Sequence, residues 1–160
     1  MTREYSQAAV CDCARPTACV DQNGGLYLVA IRRIGTGRDG RVRTGEVSDR
    51  LDVAPPSVTE MFDRLAAAGF LRYEKRTGVV LTDRGREVAL ELERRQCVVR
   101  TFFRCRTGFD MPLEVGYRIG YILPDGAIDR LGVLVDETPT TCSVTPSTGV
   151  EQCPFSETGC

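Results

Sequence analysis

Eight cysteines and not one histidine define the chemistry open to this chain of 160 residues. Thiolates select soft centres such as Zn2+, Cu(I) or iron–sulfur clusters, whereas a hard ion such as Mn2+ wants oxygen and nitrogen donors. Cys11, Cys13 and Cys19 stand together in a polar lead segment as C-x-C-x5-C. That spacing matches no zinc ribbon or ferredoxin run. Cys97 and Cys105 fall in an arginine-rich stretch, and Cys142, Cys153 and Cys160 in a tail rich in Thr, Ser, Pro and Gly. A lone cysteine is by default a small buried hydrophobe, which is an even match for Cys105. The polar lead has no core to fill, so its three thiols point to a metal, a cluster or redox sensing. The neighbouring Arg94, Arg95 and Arg100 would favour ionised thiolates at Cys97.

Catalysis finds less support. The chain has no histidine, no phosphate-binding glycine loop and no evident catalytic constellation, so an enzyme is not expected. Charge suggests another task. Residues 41–107 hold 14 Lys and Arg against 10 Asp and Glu, while the remainder holds 7 against 12. A basic middle with acidic flanks suits a polyanion-binding module attached to a regulatory part. With 42% hydrophobic and 27% charged residues the composition is that of a soluble globular protein. No apolar run approaches the roughly 20 residues that span a bilayer, and the first residues lack a signal peptide's apolar region. A cytoplasmic protein is expected.

The elements that must position these groups follow from periodicity. Leu26, Val29, Ile31 and Ile34 predict a helix over about residues 25–34, broken by GTGRDGR. Thr44 reads as the N-cap of a short helix carrying Val47 and Leu51, with a turn at Asp52, Val53 and Ala54. A third helix opens on Pro55-Pro56-Ser57, where proline's missing N–H costs nothing. Its stripe is Val58, Met61, Phe62 and Leu65, and Gly69 ends it. Two β runs, residues 70–74 and 79–81, enclose a hairpin tip of Lys75, Arg76, Thr77 and Gly78. Thr82 caps a long helix to about residue 107, with Val88, Ala89, Leu92, Val99 and Phe103 as its apolar positions. A helix this long must bury its stripe, and a second copy of the chain is the expected cover.

Helix, turn, helix and a basic-tipped hairpin is the winged helix-turn-helix order. The fold class expected is mainly α with a small β-hairpin wing, a winged helix-turn-helix joined to a helical dimerisation domain. The second helix of the pair enters the major groove of double-stranded DNA. The expected DNA contacts are Arg43, Thr44, Ser57, Thr59, Glu60, Arg64, Lys75 and Arg76, with the last two reaching phosphates or the minor groove. Winged helices also serve as protein-docking units, which is the blander alternative.

The string RTGEVSDRLDVAPPSVTEMFDRLAAAGFLRYEKRTGVVLTDRGREVA resembles the diphtheria-toxin-repressor family of metal-dependent transcriptional repressors, which includes the manganese transport regulators. VAPPSVTEM matches the start of the recognition helix and YEKRTGVVLTDRG the wing and the next helix. A weaker match runs through GLYLVAIRRI and RIGYILPDGAIDRLGVLV, so that residues 25–135 are covered, and PTTC at 139–142 resembles the family's C-terminal end. The resemblance implies a homodimer on a palindromic operator. It also implies iron or manganese ligands, and those are missing. Leu26 stands at or beside one ligand position, Cys97 replaces a histidine, Gly120 and Tyr121 replace a Glu-His pair, and Tyr117 replaces an acid or cysteine.

The expected domains are therefore a cysteine-containing segment at 1–23, a winged helix-turn-helix at 24–82, a helical dimerisation domain at 83–137 and a cysteine-containing tail at 138–160. The expected function is a DNA-binding regulator, a repressor, responding to iron or redox state through an iron–sulfur cluster. Its ligands would be Cys11, Cys13, Cys19 and Cys97, with Cys105, Cys142, Cys153 and Cys160 as further candidates. Structural zinc, or a metal-free thiol/disulfide switch, are the alternatives. On an unbroken helix Cys97 and Cys105 lie about 12 Å apart at 1.5 Å per residue, too far to share one zinc ion.

Overall fold

The computed structural model describes residues 16–135. Six α-helices and one hairpin follow a 3-10 turn at Pro16–Cys19: α1 Gln22–Gly35, α2 Thr44–Leu51, α3 Pro55–Ala67, β1 Leu71–Glu74, β2 Gly78–Leu81, α4 Asp83–Thr107, α5 Leu113–Ile122 and α6 Asp125–Val135. The mainly helical class with a two-stranded wing is as expected. Two compact units meet between Ala89 and Leu90, inside α4, seven residues beyond the expected domain boundary.

In the first unit α1 begins three residues earlier than periodicity suggests. Asp21 is the reason, because its Oδ1 accepts from the Gly24 N–H at 2.6 Å and satisfies a donor of the first turn. Helix α2 corrects a detail. Thr44 is its first helical residue, while Arg43 precedes it and donates its backbone N–H to Glu46 Oε2 at 2.8 Å. The turn at Asp52 is left-handed, φ 53°, and Ser48 Oγ closes it by donating to the Val53 carbonyl at 2.6 Å.

Helix α3 buries Val58, Met61, Phe62 and Leu65, the whole predicted stripe. Full burial of such side chains stabilises by about 1.5–3 kcal/mol each. Phe62 meets Tyr73 of β1 edge-on, with ring centroids 5.4 Å apart. The strands pair antiparallel, Leu71 opposite Leu81 and Glu74 opposite Gly78. Val42 adds a single antiparallel bridge to β2, exchanging two backbone hydrogen bonds with Val79 at 2.9 and 2.8 Å. Gly78 is required there, because at φ 110° a Cβ would stand 2.3 Å from the Val42 carbonyl oxygen. Thr82 caps α4 as expected, accepting from the Gly85 N–H and donating to the Gly69 carbonyl.

The second unit gathers α5, α6 and the last five turns of α4 around Val99, Met111 and Ile128, with Phe103, Ile119, Leu123 and Leu131 against them. Arg95, Gln96 and Thr101 are polar side chains buried in the same unit.

Candidate nucleic-acid interface

Helix α2, the turn at residues 52–54 and α3 put a polar helix start on the surface. Ser57 and Glu60 of α3 are exposed, and Thr59 is half-buried with its hydroxyl donating back to the Pro55 carbonyl at 3.2 Å. Pro55 and Pro56 open the helix without sacrificing any bond. The first backbone N–H groups and the positive end of the helix suit a phosphate, and the exposed polar side chains suit base edges.

At the hairpin tip Lys75 and Arg76 are exposed, as is Arg43 before α2, and none of the three makes an ion pair among the described residues. Arg76 holds φ 74°, a conformation that a side chain ordinarily avoids. Two other cations are engaged nearby. Arg38 pairs with Glu46 at 2.6 Å and Arg41 with Glu74 at 3.4 Å. The Arg43 backbone N–H, followed by the Arg38 guanidinium, holds the Glu46 carboxyl below its usual range. Sequence inspection missed both pairs; the partner of Arg38 is eight residues on, across the turn before α2, and that of Arg41 is 33 residues on.

Arg64, another expected DNA contact, is exposed and makes an ion pair. Its Nη2 donates to Asp21 Oδ2 at 3.0 Å, so it is directed to the start of α1. Thr44 is half-buried at the start of α2.

The resemblance assigns metal ligands to the positions of Leu26, Cys97, Tyr117, Gly120 and Tyr121. In the first unit Leu26 is a half-buried hydrocarbon of α1. In the second unit Cys97 is half-buried on α4, Tyr117 and Gly120 are buried on α5, and Tyr121 is half-buried with its ring 6.3 Å from that of Tyr117. A cation already stands beside Gly120. The Arg95 side chain is 3% exposed, its Nη1 donates to the carbonyls of Gly120 at 3.1 Å and Leu123 at 2.8 Å, its Nε donates to Glu91 at 3.0 Å, and its Nη2 to Asp125. Among the described residues no group of three or more His, Cys, Asp or Glu side chains is placed to hold a metal ion. These residues do not fit a divalent ion at the family's positions.

Three of the eight cysteines lie in the described residues; Cys11, Cys13, Cys142, Cys153 and Cys160 lie outside them. Cys19 and Cys105 are each disulfide-bonded, a state in which the sulfur offers no thiolate to a metal. Helix α4 runs unbroken past Cys97 and Cys105. The arginines expected to ionise the Cys97 thiol also hold oxygens: Arg94 donates to Glu91, Arg95 as above, and Arg100 to the Met111 carbonyl and Asp110. Burial pushes the Glu91 carboxyl up, but Arg94 and Arg95 outweigh it and leave it below the usual range.

Comparison with known proteins agrees with this geometry. Residues 25–79 match the family model for the iron dependent repressor, N-terminal DNA binding domain. The HTH-type transcriptional regulator MntR of Geobacillus kaustophilus (strain HTA426) is 36% identical over 100 residues, which is 60% of this chain and 69% of that protein. MntR of Listeria monocytogenes serotype 4a (strain HCC23) is 32% identical over 99 residues, 60% of this chain and 68% of that one. Among solved structures, ScaR with bound Zn2+ aligns with a TM-score of 0.60 at 27% identity, over 75% of this chain and 56% of that chain. The metal-dependent transcriptional regulator MtsR aligns with a TM-score of 0.66 at 23% identity, over 77% and 57%, a likeness of fold. The chain thus spans little more than half the length of these two solved structures.

Proposed function

The chain belongs to the iron-dependent repressor family of metal-dependent transcriptional regulators, and on that premise we propose that it is a DNA-binding repressor whose operator affinity follows thiol chemistry instead of a bare divalent ion. Its relatives are transcriptional regulators, not enzymes. One observation carries the proposal. A complete winged helix, with Ser57 and Glu60 exposed on α3 and Lys75 and Arg76 exposed at the wing tip, accompanies sensor positions occupied by Leu26, Cys97, Tyr117, Gly120 and Tyr121. The reader is kept and the hard-ion ligands are gone.

DNA is held as follows. The start of α3 enters the major groove and Glu60 meets a base edge; the wing tip and Arg43 neutralise phosphates on either side. A homodimer presents two such helices to a palindromic operator, and the exposed apolar residues Leu113, Val115, Ile122, Val133 and Leu134 of the second unit support that assembly. Among the described residues no helix is long and apolar enough to cross a membrane.

The effector has two chemical forms. An iron–sulfur cluster on Cys11, Cys13, Cys19 and Cys97 is one. A thiol/disulfide switch is the other, and the disulfide-bonded state of Cys19 and Cys105 favours it. Purification without oxygen, followed by a visible spectrum and iron, sulfide and zinc counts, separates them. Iron and sulfide in equal amounts with visible absorption supports the cluster. A colourless, metal-free protein whose DNA affinity changes on oxidation supports the switch, and stoichiometric zinc makes the thiols structural.

A further inference from the structure

In the second unit one cation is already built in. The Arg95 guanidinium is enclosed by four oxygens, from Glu91 of α4, the Gly120 carbonyl of α5, the Leu123 carbonyl that follows α5, and Asp125 at the start of α6. They come from all three helices of the unit and converge on a group that is 3% exposed. A buried charge is tolerated only when its donors are satisfied, and a guanidinium supplies its donors in a fixed planar fork. Gly120 belongs to the same arrangement. A Cβ there would lie 3.0 Å from the Arg95 carbonyl carbon and 3.1 Å from its Cβ, so a ligating side chain at this position would require α5 and α4 to give by a few tenths of an ångström.

We propose that Arg95 takes the place of a divalent ion in this unit. Its guanidinium ties α4, α5 and α6 together through the oxygens of Glu91, Gly120, Leu123 and Asp125, and so the unit keeps its packing with no added metal. A second cation beside it meets both the repulsion of the first and the loss of its hydrogen-bond partners. Divalent ions therefore do not set the state of this unit. The inference is independent of DNA binding, and its test does not use DNA.

The test is thermal unfolding of the full chain, with isothermal titration of MnCl2, for the wild type and for Arg95→Ala. The wild type is expected to melt at the same temperature, within about 1 °C, in EDTA and in excess MnCl2, and to give no Mn2+ binding heat. Arg95→Ala removes the partner of two carboxylates and two carbonyls, and is expected to melt about 6–20 °C lower. Millimolar guanidinium or Mn2+ is expected to restore part of that loss in the variant and to leave the wild type unchanged. A wild type that Mn2+ stabilises by several degrees, or an Arg95→Ala variant as stable as the wild type, overturns the proposal. If the variant does not fold, the ion dependence of the wild type decides the question alone.

Discussion

Asp21 serves two elements at once: one carboxylate oxygen accepts from the Gly24 N–H at 2.6 Å and caps α1, and the other accepts from Arg64 of α3 at 3.0 Å. Cys19 lies two residues before it. The two roles separate by substitution. Asp21→Asn keeps an oxygen for the cap and is expected to stay within about 0.5 kcal/mol of the wild type, since an exposed ion pair contributes little. Asp21→Ala loses the cap and is expected to be about 1 kcal/mol less stable. Both release Arg64 and are expected to tighten DNA binding, because another cation can then meet a phosphate. Equal losses of stability on urea denaturation would assign the effect to the ion pair instead.

Arg76 holds a positive φ that glycine adopts without strain. Arg76→Gly is therefore expected to raise stability by up to about 1 kcal/mol. It is also expected to weaken binding to all DNA sequences and to flatten the dependence of affinity on salt by about one phosphate contact. Lys75→Ala is expected to flatten it similarly without the gain in stability. An unchanged salt slope in both variants would remove the wing tip from the interface.

Glu91 makes the second unit sensitive to acid. Its carboxyl is held below the usual range in the folded state by Arg94 and Arg95 against the effect of burial. The stabilisation it gives is thus present above the carboxyl's unfolded value and is lost as pH falls through the lowered folded value. Urea midpoints measured between neutral and acidic pH are expected to fall more steeply for the wild type than for Glu91→Gln. Parallel curves would show that Glu91 titrates alike in both states.

Ile122 and Val133 are 70% and 71% exposed in the second unit, unusual for side chains of their size. A dimer of 17.6 kDa chains is expected by light scattering at micromolar concentration. Ile122→Glu or Val133→Glu is expected to shift it towards monomer while leaving the helical content unchanged. A wild-type monomer would contradict the assembly.

Much of the first unit was legible from sequence because its signals are local. The α3 stripe recurs at helical spacing between a double proline and a glycine, and the two strands flank a short basic turn. Val42 was not legible as part of the sheet, because it makes a single ladder position with a residue far along the chain. Nor was Arg95, which stands among other arginines of α4. Its spacing carried a usable signal: Val88, Leu92, Arg95 and Val99 follow one another at intervals of four, three and four, so this arginine lies on the buried stripe. The same spacing separates it from Arg94, which is partly exposed. The ion pair of Arg64 was not legible for a related reason, since its partner Asp21 is 43 residues away.

The central claim is that thiol state, and not a bare divalent ion, sets the affinity for DNA. The most direct measurement is the DNA affinity of the full chain at one salt concentration, reduced under anaerobic conditions and then oxidised, each in EDTA and in MnCl2. The account predicts a change of about tenfold or more between the two thiol states, within the usual range of coupling between sites, and the same value with either additive. Equal affinity in both thiol states, together with a rise in affinity when Mn2+ replaces EDTA, would contradict it.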